Sequence, residues 1–69
     1  MYKDFEEALR KAVTSAEYYG LPFVIVTAYD GSYSIITASV YSNKEILKAI
    51  VLSDGTYQIL ESEIVRKFK

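Results

Sequence analysis

The 69-residue sequence contains no cysteine, no histidine and no tryptophan. Without cysteine no disulfide can staple the fold. Without cysteine or histidine a zinc site of the usual ligand types is excluded. The same absences remove the commonest general base and the best side-chain nucleophile, so the expectation is a protein that is not an enzyme. There is no phosphate-cradling glycine array, and no cofactor or metal is implied. No apolar run approaches the roughly 20 residues of a membrane-spanning helix. Neither sign of charge dominates: eight Lys and Arg face nine Asp and Glu, a net charge of −1. A nucleic-acid binder normally carries a basic excess, so this balance argues against that class. Asn43 and Gln58 are the only side-chain amides, in keeping with a thermophilic source. Met1 leads into Tyr2-Lys3-Asp4-Phe5-Glu6-Glu7, which is charged and unlike a secretory signal, and the expected location is cytoplasmic.

What the sequence does have is a duplication. Ile25-Val26-Thr27-Ala28-Tyr29-Asp30-Gly31-Ser32-Tyr33-Ser34-Ile35-Ile36 aligns without a gap on Ala49-Ile50-Val51-Leu52-Ser53-Asp54-Gly55-Thr56-Tyr57-Gln58-Ile59-Leu60. Each copy is an apolar run, Asp-Gly, a hydroxyl residue, Tyr, a polar residue and two aliphatics. Asp-Gly between alternating apolar residues signals a hairpin closed by a two-residue type I′ turn. Asp30 and Asp54 are therefore read as turn residues, not metal ligands.

Ahead of the duplication, residues 4–19 read as an amphipathic helix. Phe5, Leu9, Ala12, Ala16 and Tyr19 share one face. Asp4 is placed to cap the start, with Glu7 in the capping-box position, and Gly20 followed by Pro22 ends the helix. The expected fold is α+β: an N-terminal amphipathic helix packed on a four-stranded antiparallel β-meander built from two similar Asp-Gly hairpins. It forms one domain over residues 1–69. The first hairpin spans 22–41, a Ser42-Asn43 turn follows, the second hairpin spans 44–66, and 67–69 form a basic tail. Residues 44–53 could instead be helical, with Ile46, Leu47, Ile50 and Val51 on one face. Strand is preferred because the segment matches the first hairpin and ends in Asp54-Gly55. Pro22 marks the first strand as an edge, giving the order 1-2-3-4.

Two-residue turns would pair Val26 with Ile35, Ile50 with Ile59, and Lys48 with Glu61. One sheet face then carries Phe23, Ile25, Ile36, Ala49, Val51 and Leu60, and the helix is expected to cover it. The other carries Val26, Tyr33, Ile35, Lys48, Ile50, Leu52, Tyr57 and Ile59, with Glu61 and Glu63 at its rim. A small domain leaving such an apolar face open is expected to use it. The functional expectation is a protein-interaction or adaptor module, forming a homodimer through this helix-free face or docking a protein partner. The alternative is a nucleic-acid-binding regulator that stacks bases on Tyr33 and Tyr57 beside Arg66, Lys67 and Lys69.

Overall fold

The structure is a computed structural model that describes residues 1–27, 30–42 and 46–60. It has one helix packed on a four-stranded antiparallel sheet, the α+β class expected. Helix α1 spans Phe5–Tyr19. Strands β1 (Phe23–Thr27), β2 (Tyr33–Thr37), β3 (Ile46–Val51) and β4 (Tyr57–Ile59) follow, with a short 3-10 turn at Ala38–Val40 between β2 and β3. The segment that could have been a helix is therefore a strand.

Both ends of α1 form as its sequence dictates. The Asp4 carboxylate accepts the Glu6 amide at 3.3 Å, so the cap engages the second helical residue instead of Glu7. Gly20 closes the helix in the left-handed region, donating its amide to the Ala16 carbonyl at 2.8 Å. Ala8, Ala12 and Ala16 are fully buried against the sheet. Their small side chains let the helix backbone approach Phe23, Ile25, Ala49 and Val51, which complete the core.

The sheet order is β2-β1-β3-β4, which corrects the expected order 1-2-3-4. β1 lies inside the sheet, not at its edge. Its run Phe23-Val24-Ile25-Val26 is buried throughout, the pattern of a strand covered on both faces. Pro22 precedes the strand and its carbonyl accepts the Ala38 amide at 2.9 Å, so it does not disrupt the ladder. β2 and β3 both run antiparallel to β1. Thr37 ends beside Phe23, whereas Ile46 begins beside Thr27. The chain between them travels the length of β1, and no tight turn at Ser42-Asn43 pairs β2 with β3. Asn43 itself lies outside the described residues.

Both hairpins are also slipped by one residue from the expected register. β1 pairs Val26 with Ser34 and Ile25 with Ile35. β3 pairs Ile50 with Gln58 and Ala49 with Ile59. The reason is visible in the second turn. The Gly55 amide bonds the Leu52 carbonyl at 2.9 Å, and the Leu52 amide bonds the Thr56 carbonyl at 2.7 Å. Those bonds enclose a three-residue loop, Ser53-Asp54-Gly55, in which Gly55 alone has positive φ (92°). A type I′ turn needs positive φ at Asp54 too. The chain uses the longer loop with a glycine bulge instead.

Candidate interaction surface

A one-residue slip moves one strand of each hairpin to the other face relative to its partner. This redistributes the residues expected to form a single patch. Tyr33 and Ile35 lie on the helix side and pack against the core. The Tyr33 ring meets the Phe5 ring edge-on, with centroids 5.4 Å apart. Val26 and Ile50 stay on the face away from the helix, but Val24 and Val26 are only 4 % exposed. The centre of that face is therefore not open surface. Lys48 is the extra residue of a bulge, between Leu47 opposite Val26 and Ala49 opposite Ile25. Its carbonyl accepts the Leu60 amide at 2.9 Å. Glu61, Glu63, Arg66, Lys67 and Lys69 lie outside the described residues. The expected patch thus does not assemble as one surface.

What the structure brings together is the outer part of the second hairpin. Leu52 is 52 % exposed, Tyr57 52 % and Ile59 39 %. Ile50, Leu52, Thr56, Tyr57 and Gln58 line a shallow depression of about 230 Å³. Every residue of β4 is exposed, and among the described residues nothing pairs with its outer edge.

The aspartate hydrogen bonds at the tips of the two hairpins repeat one another. Asp30 Oδ1 accepts the Ser32 amide at 3.0 Å and its hydroxyl at 2.7 Å. Asp54 Oδ1 accepts the Thr56 amide and hydroxyl at the same distances. The hydroxyl bond first, then the amide bond, holds each carboxyl below the ordinary aspartate range. Oδ1 of each carboxylate is thus engaged within its own turn. Among the described residues no group of three or more Asp and Glu could hold a metal ion, and no helix is long and apolar enough to cross a membrane.

The sequence reading placed Tyr19 on the apolar face of α1, whereas it is 63 % exposed, and did not single out its pairing with Tyr18. Tyr18 and Tyr19 meet edge-on at 4.8 Å, and Tyr19 lies 6.3 Å from Phe23. It also missed the contact of the Glu17 carboxylate with Gly55, which brings the end of α1 to the β3–β4 turn. No family model matches the chain, and no curated protein or solved structure shows significant similarity to it.

Proposed function

We propose that this chain is a non-enzymatic protein-interaction module that holds a partner polypeptide on the outer margin of its second hairpin. One observation carries this. Tyr57 and Ile59 repeat Tyr33 and Ile35 in sequence and in register, yet the first pair is exposed where the second is packed under the helix. Exposed aromatic and aliphatic side chains on a strand whose outer edge is unpaired among the described residues favour a polypeptide partner, which can add backbone hydrogen bonds to side-chain burial. The helix-free face serves a homodimer less well, because Val24 and Val26 at its centre are already buried. Base stacking is also weakened as a reading, since the Tyr33 ring is engaged by Phe5.

The test is site-specific photo-cross-linking in cells. A cross-linking side chain at Gln58 is expected to give an adduct of defined mass. The adduct should disappear with Ile59→Asp and be absent when the cross-linker sits at Lys11. Equal labelling from both positions would overturn the proposal.

A further inference from the structure

β4 carries the sheet one strand past the part that α1 covers. Ala49 and Val51 of β3 are fully buried under the helix. Ile59 stands opposite Ala49 and Tyr57 opposite Val51, and directly opposed residues share a face. Tyr57 and Ile59 therefore lie on the helix side, beside the helix that packs on β1, β2 and β3. Both keep a large part of their surface exposed.

The flank of α1 forms the inner wall of this step. Leu9, Val13 and Glu17 recur at intervals of one turn, so they share a face, and Glu6 precedes Leu9 by three residues on the same side. Glu17 shows which way that face looks, because its carboxylate meets Gly55 in the β3–β4 turn. Leu9 and Val13 are half-buried against the core, whereas Glu6 and Glu17 are exposed. The opposite flank carries Lys11, which lines a separate depression with Tyr2 at the β2 edge. The step over β4 is thus apolar on its floor and inner wall and acidic at its rim.

The sequence that follows Leu60 has the complementary pattern. In Glu61-Ser62-Glu63-Ile64-Val65-Arg66-Lys67-Phe68-Lys69, Ile64, Val65 and Phe68 sit at the i, i+1, i+4 spacing of one side of a helical turn. Arg66, Lys67 and Lys69 carry positive charge between and after them. Reach is sufficient. The Leu60 amide bonds the Lys48 carbonyl, so the chain leaves β4 beside the step itself. An extended chain advances about 3.3 Å per residue and a packed layer is about 10 Å deep. Three residues therefore suffice to climb from the strand to the level of α1.

Resting on the interaction reading above, we infer that residues 64–69 are the intramolecular occupant of this step. Ile64, Val65 and Phe68 pack between α1 and β4, and the neighbouring cations lie beside Glu6 and Glu17. A tethered segment competes at high effective concentration. A partner polypeptide therefore takes the second hairpin only by displacing it, and the segment regulates the docking margin from within the same chain.

The full chain tests this by NMR. Phe68 is one of three phenylalanines, so its ring signals are separable. NOEs are expected from that ring to the Leu9 and Val13 methyls and to Ile59. Phe68→Asp should remove them and move the amide shifts of Tyr57 and Ile59. Absent NOEs, or shifts confined to residues 64–69, would describe a solvated tail and overturn the inference. NOEs between labelled and unlabelled copies in a mixed sample would assign the step to a second copy and likewise overturn it. In cells, Phe68→Asp should raise the Gln58 cross-linked adduct about threefold or more, as when the open margin is a third or less of the population. An unchanged or smaller yield would overturn the competition. If the NOEs are absent but the adduct forms equally in both chains, the internal occupant falls and the docking margin stands. If the NOEs are present and neither chain gives an adduct, the docking reading fails, its regulation falls with it, and the intramolecular contact alone is upheld.

Discussion

At the scale of single residues, three side chains have consequences that substitution can read. The Thr27 hydroxyl is buried and makes no hydrogen bond. An unmet buried hydroxyl costs stability, and an isosteric methyl removes that cost. Thr27→Val should therefore be neutral or stabilising by about 1 kcal/mol in urea unfolding; a clear destabilisation would contradict the assignment. Gly31 and Gly55 both have positive φ, 85° and 92°, and both resist a side chain. Gly31 has open space around it, whereas a Cβ on Gly55 would meet the Glu17 carboxylate. Gly55→Ala should thus cost more than Gly31→Ala, and Glu17→Ala should erase the excess in a double-mutant cycle. The two turn aspartates make the third case. Their carboxyls titrate below the ordinary value of 3.8 in the folded chain. A depressed folded pKa contributes stability that is complete above the unfolded value. That contribution is lost as pH falls through the folded pKa. Asp30→Asn with Asp54→Asn should flatten the acid limb of the stability curve below about pH 4 and leave its neutral region with little pH dependence. An unchanged acid limb would show that these carboxyls are not responsible.

At the scale of elements, the helix was legible because its signals are local. The cap at Asp4, the stripe through Ala12 and Ala16, and the stop at Gly20 each depend on neighbours within one turn, although the stripe as read left out Ala8, which is buried with them. The strands were legible for the same reason. Register was not, because Asp-Gly fits two loop lengths: a two-residue turn with both residues at positive φ, or a three-residue loop whose glycine alone is left-handed. Ser53-Asp54-Gly55 takes the second, and the slip of one residue moved Tyr33 and Ile35 under the helix. That choice, together with the burial of Val26 and the bulge at Lys48, kept the candidate surface from appearing as first drawn. Strand order was readable in principle. Phe23-Val24-Ile25-Val26 is apolar on both faces, while β2 and β4 carry Ser34 and Gln58; the continuous run belongs in the interior. Phe5 joins helix and sheet, sitting on Tyr33 beside the core. Phe5→Ala should destabilise by about 2–4 kcal/mol, somewhat less than for a fully buried ring. It should also raise the accessibility of Tyr33 in near-ultraviolet spectra. A loss below about 1 kcal/mol, within the range of ordinary surface changes, would refute the packing role.

At the scale of the molecule, the sheet is nearly symmetric and its support is not. The first hairpin is held on one side by Tyr2, on its face by α1, and at its turn by Met1, whose Sδ lies 2.9 Å from the Ser32 hydroxyl. The second hairpin repeats the same pairs and the same aspartate bonds, but β4 has only three residues, all exposed. Among the described residues, local structure is therefore matched while tertiary support is unequal, and the unequal term should govern dynamics. Segments with few buried apolar contacts open at free energies below global unfolding. Native-state hydrogen exchange should show the Leu60 amide, bonded to the Lys48 carbonyl, exchanging through a local opening of β4. The Tyr33 amide, bonded to Tyr2, should exchange only when α1 leaves the sheet. Binding of a partner polypeptide along β4, as proposed, should slow Leu60 toward the rate of the first half and leave Tyr33 unchanged. If Leu60 and Tyr33 already share one opening free energy in the chain alone, the two halves are equally supported. The exposure of β4 would then have no energetic consequence.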